Sequence, residues 1–101
     1  MLTRNEFEKF QCDEYLAEEY RAGFYHEESY LQLILAVENA YVGENGSYLV
    51  IGHAGVDGIE FCYQLCHKGI WAYYPIDKEF VFMASTIKNL ILGWRNGDIK
   101  V

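Results

Sequence analysis

Cys62, Cys66 and His67 crowd one short stretch, with His53 upstream, and thiolate and imidazole are the ligands zinc prefers. Zinc ribbons place paired cysteines roughly two to four residues apart and repeat the pair. Here a single C-x-x-x-C stands without a second pair. The plainer reading puts a small apolar Cys62 on a strand, and Cys66 and His67 in an exposed turn before Lys68-Gly69; no metal site is expected. A Cys-His nucleophile would need nearby positive charge or a helix N-terminus to stabilise the thiolate, and the acidic surroundings push the other way. The paired carboxylates, Glu18/Glu19, Glu27/Glu28 and Asp77/Glu79, fall in segments expected to be solvated. With no polar residue marooned in an apolar run, nothing marks a tuned pKa, so no catalytic residue is assigned and no enzyme is expected.

A second constellation is the glycine-rich stretch "YLVIGHAGVDGIEFCY", Tyr48 to Tyr63, which carries Gly52, Gly55 and Gly58. It lacks both the G-x-G-x-x-G order and a Gly-Lys-Ser/Thr ending, and the run after the last glycine reads as a strand. Without a helix N-terminus, the dipole and free amides that hold phosphate are missing. The glycines therefore read as a tight connection with positive φ, Asp57-Gly58 being a favoured hairpin pair, and no cofactor is expected.

These residues must be positioned by a chain of 101 residues, enough for one compact domain. Apolar residues make up 51% and charged ones 23%, which argues against disorder. The net charge of −7 argues against nucleic acid and anionic membrane, both of which call for Lys and Arg, and makes a basic protein the natural complement. No apolar run approaches the roughly 18 to 20 residues of a membrane span, and "MLTRNEFEKF" is not a signal sequence. The chain reads as cytoplasmic, with its three cysteines reduced.

Thr3 and Glu6 have capping-box spacing, and Phe7, Phe10, Leu16 and Tyr20 predict one N-terminal helix that Gly23 closes. Ala22 to Tyr30 reads as a loop, Leu31 to Leu35 as β-compatible, and Ala36 to Val42 as a short helix or an edge segment. After the "GENG" turn at Gly43, four short apolar runs predict an antiparallel meander: Tyr48–Ile51, Ile59–Gln64, Ile70–Tyr74 and Phe80–Ala84. In the second run Ile59, Phe61 and Tyr63 alternate with Glu60, Cys62 and Gln64, the pattern of a half-buried strand. Ser85 sits where an N-cap would, before Ile87, Leu90, Ile91 and Trp94 at helical spacing, with Arg95 in the last turn and Gly97 beyond it. The expected fold is α+β: a mostly antiparallel sheet of four to five strands under a C-terminal helix, with an N-terminal helix, in a single domain spanning 1–101.

Aromatics are the compositional outlier, with six Phe, nine Tyr and two Trp. That is more Tyr than a small core can easily hold with every hydroxyl paired. On "IWAYYPIDKEF" Trp71 and Tyr73 point to one face and Ile70, Ala72 and Tyr74 to the other. One set is core beneath the C-terminal helix; the other is either covered by the N-terminal part of the chain or exposed. Exposed Trp71 and Tyr73 ringed by Asp77 and Glu79 would suit a basic partner, and Asp57 and Glu60 would add negative charge beside it.

The stretches "LVIGHAGVDGIEFCYQ", "GIWAYYPIDKEFVFMAST" and "IKNLILGW" resemble the C-terminal half of the SUKH superfamily, which includes a fungal cell-wall synthesis regulator and many bacterial immunity proteins. Gly52, Gly55, Gly58, Ile70, Trp71, Tyr73, Ser85, Ile87, Leu90 and Trp94 fall at matching places. The likeness covers roughly Ser47 to Gly97. Upstream, the two helices, the Leu-Pro pair and the Asn-Gly turn common in that superfamily are not matched, since Pro75 is the chain's only proline and Asn45-Gly46 lies beside the first meander strand. Either the N-terminal lobe is abbreviated or the resemblance is to a divergent branch; an abbreviated lobe would leave surface uncovered and favour a homodimer. The resemblance implies binding rather than catalysis: such domains neutralise a toxin, often a nuclease, by occluding its active site. The alternative is a homo-oligomeric regulatory or scaffolding domain.

Overall fold

The computed structural model describes residues 2–43 and 46–101. The first helix, α1 (Arg4–Glu8), starts on a reciprocal capping box: Thr3 Oγ1 accepts from the Glu6 N–H at 3.2 Å, and the Glu6 carboxylate accepts from the Thr3 N–H at 3.0 Å. Those bonds hold the Glu6 carboxyl below its ordinary range. The single N-terminal helix expected from spacing does not form. The chain turns at Gln11, φ 53°, before a second short helix, α2 (Asp13–Leu16), and a 3₁₀ turn at Glu18–Tyr20. Packing explains the break. At 3.6 residues per turn, Cys12 would lie opposite Phe7 and Phe10 on a continuous helix, whereas the turn lets Phe7, Phe10, Cys12 and Tyr15 all enter the core.

Part of Ala22 to Tyr30 is also not loop: β1 (Phe24–His26) pairs antiparallel with β2 (Leu31–Ile34). A 3₁₀ turn at Val37–Asn39 and the short β3 (Tyr41–Val42) then divide the segment read as helix or edge between the two. Of the "GENG" turn, Glu44 and Asn45 lie outside the described residues, and its ends are joined by a Gly46 N–H bond to the Gly43 carbonyl at 2.9 Å.

The meander forms as the alternation requires: β4 (Tyr48–His53), β5 (Glu60–Gln64), β6 (His67–Tyr74) and β7 (Glu79–Ala84) come after β3 in one antiparallel sheet whose spatial order equals chain order. Its inner face carries Leu49, Ile51, Phe61, Tyr63, Ile70 and Ala72, all buried. Over them lies the last helix, α3 (Ile87–Asn96), with Ile87, Leu90 and Ile91 inward and the Trp94 ring edge-on to Phe61 at 5.7 Å. The residues of α1 and α2 complete this core from the same side.

Thr86 rather than Ser85 is the N-cap, its Oγ1 accepting from the Asn89 N–H at 3.0 Å, while Ser85 Oγ accepts from the Asn89 amide at 3.1 Å. Gly97, φ 78°, ends the helix: the Asp98 N–H reaches the Gly93 carbonyl at 2.8 Å and the Gly97 N–H the Trp94 carbonyl at 3.3 Å, a Schellman closure. The fold is α+β. No helix among the described residues is long and apolar enough to cross a membrane.

Candidate partner-binding face

Residues paired across strands share a face, so register lays out the outer side of the sheet in two rows. Tyr41, Val50, Cys62, Trp71 and Phe82 form one; His53, Glu60, Tyr73 and Phe80 form the next. The half-buried β5 expected from alternation holds at Glu60 and Gln64, both partly exposed, but not at Cys62, which with Val50 of β4 is fully buried on a face that no described helix covers. Rings do the sheltering. Tyr73 lies 4.8 Å from Phe80 and 5.0 Å from Tyr48, and Tyr48 meets Phe80 edge-on at 5.3 Å. Together with Trp71 these rings close over Val50 and Cys62. Tyr48 can lie this flat because position 43 is glycine: a Cβ there would sit 1.9 Å from its Cζ.

Farther along the face, Trp71 stacks edge-on with Phe82 at 5.3 Å and with His67 at 5.8 Å. Its indole N–H donates to the Lys68 carbonyl at 3.1 Å, so the polar edge is satisfied within the chain and the half-buried ring is held in one orientation. Phe82 is 51% exposed and Tyr41 40%, making an aromatic surface that water reaches. At its other margin the Tyr41 hydroxyl donates to the Glu60 carboxylate. Burial first, and that bond second, push the Tyr41 phenol above its ordinary range, so it stays protonated. Tyr41, Glu60, Tyr73, Pro75 and Lys78 line a hollow of about 500 Å³ there.

The residues singled out by sequence thus divide. Glu60, Trp71 and Tyr73 come together on the outer face, Glu60 and Tyr73 as direct cross-strand partners. Asp57 and Asp77 lie instead at one end of the sheet, where the β4–β5 and β6–β7 connections converge on a cleft of about 200 Å³ that also exposes Val56 and Ile76. Glu79 opposes Tyr74 at the start of β7, one residue out of phase with Phe80 and hence on the other side of the sheet. Sequence reasoning misses Tyr41, Tyr48, Phe80 and Phe82. The signal for the last two is present, since a short β6–β7 turn brings Phe80 and Phe82 into the rows of Tyr73 and Trp71.

The potential ligands and nucleophiles are dispersed. His67 Nδ1 is 2.8 Å from the Leu65 carbonyl, His53 stacks near Tyr41 at 6.3 Å, and Cys66 is exposed in the β5–β6 turn. Among the described residues no three His, Cys, Asp or Glu side chains group as metal ligands would. Burial raises the Cys62 thiol, and pushes Cys12 up to about 11, so both are protonated thiols near neutrality. The glycine loop is likewise divided. Gly55 and Gly58 have the positive φ of turn residues, at 78° and 71°, whereas Gly52 is inside β4, where a Cβ would lie 1.9 Å from the Leu33 carbonyl oxygen. Gly52 is thus a point where the β2 backbone packs directly on the sheet, next to the Leu35 N–H bond to the Ile51 carbonyl at 2.7 Å.

Compared with protein-family models, with curated proteins and with solved structures, the chain matches none.

Proposed function

We propose that the protein is a non-catalytic binding domain whose outer sheet face docks a basic protein, and that this partner is a bacterial toxin which it neutralises in the cytoplasm by covering the toxin's active site. The observation that carries the reading is the aromatic face itself: Trp71, Tyr73, Phe80 and Phe82 on paired strands of the sheet, no described helix over them, and the indole N–H bonded to the Lys68 carbonyl. Large rings held in one rotamer lose little entropy on docking and bury much area, the property of interface anchors. The net charge of −7 supports a basic partner, since a cleft that holds phosphate is positive and an acidic domain is steered into it. The toxin itself is proposed on the resemblance of Ser47–Gly97 to SUKH immunity proteins.

The test is co-expression with toxins encoded beside the gene, with and without Trp71→Ala. Relief of toxicity by the natural chain and its loss in the folded variant are expected. The reading fails if no neighbouring product is toxic and relieved, or if Trp71→Ala protects as well as the natural chain.

A further inference from the structure

The sheet has two unlike edges. β3 is only two residues long, whereas β7 spans Glu79–Ala84 and, among the described residues, has no strand beyond it. Among the described residues no backbone bond of β7 is seen outside its ladder with β6, so alternate N–H and C=O groups point away from the sheet. Solitary proteins guard such an edge with Lys, Pro, an inward charge or a bulge. From Phe80 to Phe82 β7 has none of these, and its Val81 and Phe82 side chains are 39% and 51% exposed. The bulge between the Trp71–Phe82 and Ile70–Ala84 pairs sits at Met83, leaving Glu79–Phe82 regular.

Two features of this edge are self-complementary. Phe80-Val81-Phe82 reads the same in both directions, so an antiparallel copy centred on Val81 sets each Phe80 opposite a Phe82 on the aromatic side and Val81 opposite Val81 on the other. The two ends of the strand also differ in charge. Asp77 and Glu79, with Lys78 between them, leave one net negative charge at its start, while past its end Lys68, in the same hollow as Ser85 and Thr86, and Lys88 in the first turn of α3 outnumber the single carboxylate of Glu14 there. A two-fold axis brings the acidic end of each copy to the basic end of the other.

We infer that two copies of the chain associate through β7, antiparallel and centred on Val81, into a ten-stranded sheet with one continuous aromatic face. This is independent of what the face binds.

The test is the mass in solution, by light scattering behind size exclusion and by sedimentation. The natural chain is expected at about twice 11.8 kDa. Val81→Lys and Val81→Glu, each placing like charges across the axis, are expected to be monomers, and an equimolar mixture of the two to recover the dimer. Should either variant fail to fold by circular dichroism, Glu79→Lys replaces it: dimerisation weakens at low salt, and adding Lys68→Glu restores it. A natural chain that stays monomeric into the millimolar range, folded Val81 variants that remain dimeric, a mixture that stays monomeric, or a Glu79→Lys chain that dimerises undiminished would each overturn the inference.

Discussion

Glu14 closes the start of the helix that ends the fold: its Oε1 accepts from the Ile87 N–H at 2.6 Å and its Oε2 from the Lys88 N–H at 3.2 Å. A carboxylate from α2 thus sits where α3 presents free amides and the positive end of its dipole, and Thr86 takes the neighbouring amide of Asn89. The contact ties the N-terminal segment to a helix more than seventy residues away. Glu14→Ala is expected to lower unfolding free energy by about 1–2 kcal/mol, as loss of a helix cap does, and Glu14→Gln by less, because the amide oxygen still accepts. Since Glu14 and Thr86 serve the same helix end, the Glu14→Ala/Thr86→Ala pair should not be additive. Urea midpoints of the two single variants and the double one measure this.

Gly52 makes a sharper steric demand than either of its neighbours in the loop. A Cβ would strike the Leu33 carbonyl at 1.9 Å, and that oxygen belongs to the backbone of β2, which cannot swing aside. At Gly55 the nearest atom is the flexible end of Leu31 at 3.0 Å, and at Gly58 it is Pro75 Cγ at 3.5 Å. The expected order of destabilisation is Gly52→Ala first, at about 3 kcal/mol or more from overpacking, then Gly55→Ala and Gly58→Ala at about 1–2 kcal/mol each for a left-handed alanine. Melting temperatures of the three variants rank them.

Where local periodicity decided the structure, it was readable. The alternation of Phe61 and Tyr63 with Cys62 gave the strand and its faces, and the Ile87, Leu90, Ile91 stripe gave α3 and the side it buries. The break at Gln11 was not readable, because it answers to where Cys12 and Tyr15 must point once the sheet exists. β1 was missed for a similar reason: three residues of mixed polarity form a strand only because β2 is there to pair with. Glu60, Trp71 and Tyr73 meet because they share a face of neighbouring strands, and Asp57 and Asp77 meet because a meander puts alternate turns at the same end. Nothing local pairs Glu14 with Ile87.

The three thiols should separate by reactivity. Cys66 is exposed in its turn, Cys12 is buried with its Sγ 3.2 Å from the Phe7 carbonyl, and Cys62 lies beneath the outer rings. An aromatic disulfide reagent is expected to modify Cys66 rapidly in the native protein and the other two only through opening of the structure or in denaturant. Trp71→Ala removes part of the cover over Cys62 alone, so it should speed modification of Cys62 and leave Cys12 unchanged. Peptide mass mapping after timed quenching distinguishes the sites.

Alkali should unfold the protein earlier than acidity of its surface would suggest. Burial raises Cys12 to about 11 and lifts Cys62, Tyr15 and Tyr63 further, each above its unfolded value. A group whose folded pKa is raised contributes stability that is complete below its unfolded pKa and is lost as pH rises through the folded one. For Cys12 that window opens near the free-thiol value of about 8.5 and extends to the folded value of about 11. Denaturant midpoints are expected to hold steady from about pH 7 to 8 and fall across that window. Cys12→Ala, less stable throughout, should show a shallower fall.

Rim charge and ring should act on different steps of partner capture. Asp57 and Asp77 sit in exposed turns at one end of the sheet, where they meet solvent and salt. Charges of this kind speed encounter and are screened over roughly 8 Å at physiological ionic strength. Asp57→Lys with Asp77→Lys is therefore expected to slow association with a basic partner several-fold at low salt, leave dissociation nearly unchanged, and lose its effect in high salt. Trp71 presents a fixed ring that a docked partner would cover, so Trp71→Ala should instead speed dissociation and cost about 2 kcal/mol or more, with little dependence on salt. Biosensor kinetics across a salt series, with the partner proposed above as ligand, separate the two. If Trp71→Ala changed only the association rate, the ring would lie outside the docked surface and the partner would have to seat on the acidic end of the sheet.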